Sequence, residues 1–296
     1  MKKFFEEMRF NKFKRTIDEG SENEVLKATA KYWAKEPDKV VPHLIHVIKW
    51  GNHFSRNNAT LALKTIGSAK AIPHLIKMLR QTGDHRNENV VYILGEIGSE
   101  TEVPHLINCV NDIRALTGIK AIRALGKIGS ERAIPKLFEA YLGIDESKAA
   151  EALKAIRKIN SSKVVPYLFS KLNGNNSRLG FATFTLLSHV TTEKEIPFLI
   201  NSLNEKDEKV KSRAIQLLGY LAAREGIPHL LKITEKKDAP LRAYAAEALA
   251  SIIVNSPTHH KSKSKLAREI LSNTNKPFKF FELTGKQLKA VEGHLK

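Results

Sequence analysis

The sequence predicts an all-α protein, a right-handed α-solenoid of about seven 31-residue helix pairs. Seven of the eleven prolines, Pro42, Pro73, Pro104, Pro135, Pro166, Pro197 and Pro228, recur at a constant interval of 31 residues without insertion. Each follows Val or Ile and is followed two residues later by a leucine: Leu44, Leu75, Leu106, Leu137, Leu168, Leu199 and Leu230. Ahead of the prolines, apolar residues recur with helical period, as in Ala121, Ala124, Leu125 and Ile128, or Ala214, Leu217, Leu218 and Leu221.

Residues 1–19 read as an amphipathic capping helix that sets Phe4, Phe5, Met8, Phe13 and Ile17 among Lys2, Lys3, Arg9, Lys12, Lys14 and Arg15. Its apolar face would cover the open end of a repeat stack, and the same pattern over residues 1–17 also suits an anionic membrane surface. The solenoid spans residues 20–254 and opens on a less regular unit, with Trp33 and Glu36-Pro37 where later units carry small residues and a glycine turn. In those later units Gly67, Gly98 and Gly129, and then Asn160, stand where a first helix would end in a left-handed cap. The proline falls in the first turn of the second helix, where backbone amides lack an intrahelical acceptor. Each unit is thus two helices of about a dozen residues, stacked with first helices outside and second helices inside. Residues 255–265 (NSPTHHKSKSK) read as a flexible basic linker. Residues 266–296 read as a basic helical tail, with short helices over Leu266–Leu271 and Gln287–Leu295 around Phe278, Phe280 and Phe281.

The formal charge is +18, from 49 Lys+Arg against 31 Asp+Glu, and the termini hold only part of it. A surplus of this size favours polyanionic partners and also promotes solubility. Cys109 is the single cysteine, so no internal disulfide forms, and the reducing cytoplasm is the expected compartment. No run of eighteen apolar residues is present to cross a membrane, and the N-terminal segment lacks the apolar core of a signal peptide.

The phrase Ala124-Leu125-Gly126-Lys127-Ile128-Gly129, followed by Ala133-Ile134-Pro135-Lys136-Leu137, resembles the short HEAT-like repeats of the phycobilin-lyase type, within the armadillo-like superhelices. The resemblance covers roughly residues 20–254 and implies the solenoid fold. It is compatible with scaffolds, chaperone-like binders, lyase subunits, hydroxylases and DNA glycosylases. HEAT-like hydroxylases hold two irons through His-Glu dipeptides, and this sequence has none. HEAT-like glycosylases use inner-surface tryptophans and an aspartate. Here Trp33 and Trp50 both fall in the irregular first unit, and Asp112 has no aromatic partner by spacing.

The residues themselves name no catalytic, cofactor or metal set. His43, His74, His105 and His229 follow four of the prolines. Neighbouring helices stand about 8–10 Å apart, too far for such a ladder to converge on one ion. Two groups of polar residues remain. Polar positions of the second helices, His74, Lys77, Asn108, Asn111, Asn173, Asn201 and Asn204, are candidate partner contacts on an inner surface. On the first helices Lys120, Arg123 and Lys127 share one face, and Lys154, Arg157 and Lys158 form the adjacent row, a candidate basic patch. The first functional reading is a non-catalytic scaffold that binds an extended macromolecule, expected to be protein, on its inner surface. The second is nucleic-acid binding through the basic patch, and the third a bilin-lyase-like subunit.

Overall fold

The protein is described from a computed structural model over residues 2–33, 37–79, 87–112, 114–172, 177–235 and 239–255. These contain sixteen α-helices and no strand. The chain opens with α1 (Lys2–Glu19) and α2 (Glu22–Trp33), followed by α3 (Pro37–Trp50), α4 (His53–Ile66), α5 (Ile72–Leu79) and α6 (Asn87–Ile97). Next come α7 (Val103–Cys109), α8 (Ala115–Ile128), α9 (Ile134–Leu142), α10 (Glu146–Ile156), α11 (Ser161–Ser170) and α12 (Ser177–Val190). The last four are α13 (Ile196–Ser202), α14 (Glu208–Tyr220), α15 (Ile227–Thr234) and α16 (Ala239–Asn255). The proline ladder lies on the odd-numbered helices α3 to α15. The predicted linker beyond Asn255, the tail with Phe278, Phe280 and Phe281, and Glu36 lie outside the described residues. The chain divides into two compact units, one up to Ile159 and one from Asn160.

All seven leucines that follow the prolines are fully buried. Burying each contributes about 1.5–3 kcal/mol relative to an exposed side chain. The recurrence at 31 residues therefore reflects one core leucine in every repeat. In both units a proline helix packs along the helix that follows it, α7 on α8, α9 on α10 and α15 on α16. The natural unit is thus offset by one helix from the phase read in the sequence.

Most proline helices are shorter than the expected dozen residues: α5, α7, α9, α13 and α15 have seven to nine. A 3-10 turn takes the first turn of each, as at Ala69–Ala71, Glu100–Glu102 and Glu131–Ala133. At two of these turns the residue before the turn accounts for it. The Ser99 amide and hydroxyl donate to Glu102 at 2.6 and 3.0 Å, and Thr192 binds Glu195 in the same way, both at 2.8 Å. These capping boxes close the turn ahead of the proline. The Ser130 hydroxyl also donates to Glu100 at 2.6 Å, tying consecutive turns together.

Gly67 and Gly129 end their helices in the left-handed conformation, at φ 62° and 75°. Gly98 and Asn160 depart from the expectation. Gly98 lies outside the left-handed region and bonds to the Leu94 carbonyl at 2.8 Å. Asn160, at φ −55°, is the N-cap of α11 and accepts from the Ser162 amide. Three 31-residue steps beyond Gly129, Ala222 adopts φ 51° although it carries a Cβ. A left-handed L-residue costs about 1–2 kcal/mol that glycine avoids, partly offset by glycine's freer unfolded chain. Ala222→Gly should therefore raise unfolding stability by about 1 kcal/mol in a denaturant titration.

α1 buries Phe13 and Ile17, and its carbonyl end is tied to α4, where Asn58 Nδ2 donates to the Ile17 and Gly20 carbonyls at 3.0 Å each. Phe10 and Phe13 pack on Tyr32 and edge-on against His43. Phe4, Phe5 and Met8, on the other face of α1, stay exposed. His43 Nε2 is buried without a hydrogen-bond partner among the described residues. Burial holds the His43 pKa below the ordinary value of 6.5, although Asp18 pulls it up. The neutral ring is therefore the folded form. The folded-state pKa is depressed, so the stabilisation is complete above about pH 6.5 and is lost as pH falls through that value. Thermal unfolding followed between pH 8 and pH 5 should show this loss, and His43→Phe should flatten it.

Candidate functional site

Gly95 and Gly126 position the site. A Cβ on either would lie 2.6 Å from the Cβ of Ala124 or Ala155 on the next helix, so α6, α8 and α10 approach with backbone nearly touching side chain. The proline-side helices α5, α7 and α9 contain no glycine to allow such an approach and bury Leu, Val, Ile and Phe instead. Tighter spacing on one side curves the stack toward that side. The row α4, α6, α8 and α10 accordingly lines a groove of about 960 Å3. This reverses the expectation that first helices lie outside, because close approach at glycine and alanine decides which side is concave.

All six candidate basic residues, Lys120, Arg123, Lys127, Lys154, Arg157 and Lys158, line this groove, and Lys64 of α4 joins them. Its floor is made of Gly95, Ala124 and Ala155, with Asn57, Thr60 and Asn89 as neutral polar groups. The second-helix candidates lie elsewhere. His74, Lys77, Asn108, Asn111, Asn201 and Asn204 are exposed and take no part in the groove, and Asn173 lies outside the described residues.

Two carboxylates, Glu96 and Glu151, sit low among the cations, with side chains only 14% exposed. Glu96 pairs with Lys64 at 3.1 Å and Lys127 at 2.7 Å, bridging α4, α6 and α8. Glu151 pairs with Arg123 and Lys154, both at 2.9 Å. Burial pulls Glu96 upward, but hydrogen bonds from Lys127 and Lys64 outweigh it and leave the carboxyl below its ordinary pKa. Hydrogen bonds from Arg123 and Lys154 hold Glu151 at about 2. Both are ionised at any physiological pH. Lys120 lies 3.5 Å from Glu88, whereas Arg157 and Lys158 have no ion-pair partner among the described residues. Tyr92, the one aromatic that lines the groove among the described residues, accepts a hydrogen bond from Lys64 at 3.1 Å.

The carboxylates and Lys64 do not stand out in the sequence, although a register signal is present. Thr65, Glu96, Lys127 and Lys158 are spaced by 31, as are Leu61, Tyr92, Arg123 and Lys154. Lys148 turns away from the groove toward the Asp112 carbonyl. The Asp112 carboxylate is held by Arg114 through Nε at 2.9 Å and Nη2 at 2.8 Å, an ion pair on the turn after α7. Burial pushes the Cys109 thiol up to about 11, from 9.0. At pH 8 its thiolate fraction is about a hundredfold below that of a thiol at the ordinary value, so alkylation should be correspondingly slow in a thiol-reagent time course. Among the described residues no three His, Cys, Asp or Glu side chains converge on a metal-binding set.

Residues 196–277 match the family model of HEAT repeats, and residues 55–81 and 119–141 match that of the PBS lyase HEAT-like repeat. No curated protein sequence matches the chain. Among solved structures, an engineered protein is 18% identical over 94% of this chain and 83% of its own, with a TM-score of 0.40. Human deoxyhypusine hydroxylase in complex with glycerol is 17% identical over 90% and 96%, with a TM-score of 0.37. The CpcE–CpcF complex of phycocyanin lyase from Nostoc sp. PCC7120 is 18% identical over 74% and 92%, with a TM-score of 0.32.

Proposed function

We propose that this chain, in which residues 55–81, 119–141 and 196–277 match HEAT and HEAT-like repeat models, is a binding scaffold whose α4–α10 groove takes nucleic acid by its phosphate backbone. The observation that carries this reading is the groove's lining: seven cations against two carboxylates, over a floor of glycine and alanine. Protein interfaces rely on aromatic and aliphatic anchors, and among the described residues only Leu61 and Tyr92 offer such side chains in the groove, Tyr92 already engaged by Lys64. Phosphate recognition uses Lys and Arg with Asn and Thr donors, which line the groove. Tyr92 is engaged by Lys64, and no other aromatic joins it there among the described residues, which favours a duplex over a single strand held by base stacking. A protein partner, expected from the second-helix polar residues, thereby becomes the competing reading.

The test is a fluorescence-anisotropy titration of a short random-sequence DNA duplex at two salt concentrations. Four to six phosphate contacts give a log–log salt slope of about −4 to −5, a loss of about 10²–10³ in affinity between 50 and 200 mM salt. No binding at low salt removes the reading. Binding of poly-glutamate without binding of duplex replaces nucleic acid by an acidic protein.

A further inference from the structure

Resting on the nucleic-acid reading, we infer that Glu96 and Glu151 are specificity-determining residues that withhold part of the groove's charge from its ligand. Each carboxylate lies between two cations, forming the triads Lys64–Glu96–Lys127 and Arg123–Glu151–Lys154 at 2.7–3.1 Å. A triad therefore presents one net positive charge, not two. The carboxylates are also the least exposed members, 14% against 43–67% for the four cations, so the cationic tips project past them toward a ligand. The arrangement fixes long, flexible side chains in place and lowers the entropy lost when a phosphate binds. It also places a negative charge behind each phosphate position.

A ligand with one isolated phosphate meets at most one net charge per triad. A polyanion that spans both triads and reaches Arg157 and Lys158, which have no ion-pair partner among the described residues, collects the contributions together. The groove is thereby tuned to extended phosphate chains over mononucleotides, and its affinity is held below what its seven cations would give.

The experiment compares wild type with Glu96→Gln/Glu151→Gln, using the same random-sequence duplex across a salt series, with adenosine monophosphate as the single-phosphate competitor. Releasing one cationic charge per triad should steepen the salt slope by about 1.8, tighten duplex binding at low salt by more than about tenfold, and strengthen competition by the monophosphate. Each single variant should give about half the change in slope, so the singles decide the matter if the double variant fails to fold. Binding that is unchanged or weaker in variants with wild-type circular dichroism overturns the inference alone, because the carboxylates would then serve only to position the cations. Absence of wild-type binding at low salt overturns the reading beneath it as well.

Discussion

Exchanging Lys120, Arg123, Lys127, Lys154 and Lys158 for glutamate is expected to abolish duplex binding, a loss of at least about 10³ in affinity at low salt. The size follows from the site's geometry. All five side chains line one groove, so each exchange removes an attraction and adds a repulsion along the same ligand path. Glutamates beside Glu96 and Glu151 would also crowd like charges and strain the fold. A matching set of glutamine substitutions separates the two effects. It should leave the helical spectrum unchanged and flatten the salt slope by about 0.9 for each phosphate that is no longer neutralised. Unchanged affinity in the glutamine set would mean that the groove cations are idle.

Gly126→Val is expected to lower the stability of the N-terminal unit by about 3 kcal/mol. A bare Cβ at this position would already sit 2.6 Å from both Cα and Cβ of Ala155, well inside contact distance. Backbone cannot move aside as a flexible side chain can, so α8 and α10 would have to separate. The gain in helix propensity over glycine is at most about 0.5 kcal/mol for valine and does not offset this. The melting temperature should fall by about 6–12 °C, measurable by circular dichroism. Gly180→Ala is the contrasting case. It also lies within a helix, but a Cβ there meets nothing within 4 Å, so the same type of change should be neutral or stabilising. Equal losses at both sites would show that backbone entropy, and not steric overlap, controls the effect.

The proline ladder and its leucines specified the repeat because the leucine fills the core at every copy and the proline opens the helix at five of the seven; Pro42 and Pro166 lie instead inside α3 and α11. Such features survive reading in one dimension. The basic residues were legible for a similar reason, since spacing of three and four places Lys120, Arg123 and Lys127 on one face regardless of what lies around them. Which side of the stack is concave was not legible. It depends on whether Gly95 and Gly126 meet Ala124 and Ala155, an approach between residues 29 apart that no local pattern announces. The 3-10 turns escape helical periodicity, which reports only apolar positions, although the Ser-x-x-Glu and Thr-x-x-Glu spacings of Ser99–Glu102 and Thr192–Glu195 carry the signal at two of them. Glu96 and Glu151 escape a sequence reading because each, taken alone, resembles an ordinary charge on a solvated helix. Only against neighbouring helices does each fall between two cations.

The glycine–alanine contacts make the spacing of the groove-lining helices a discrete quantity. A methyl group added at Gly95 or Gly126 forces a step apart, and nothing smaller than glycine exists to bring the helices closer. The α6–α8–α10 row is therefore already at its minimum spacing, and substitution at these two sites can only move its helices apart. Lengthening that row while the proline side stays fixed would straighten the stack locally and spread the two carboxylate triads. The gauge of the groove is set by two hydrogen atoms, one on Gly95 in its floor and one on Gly126 outside its lining.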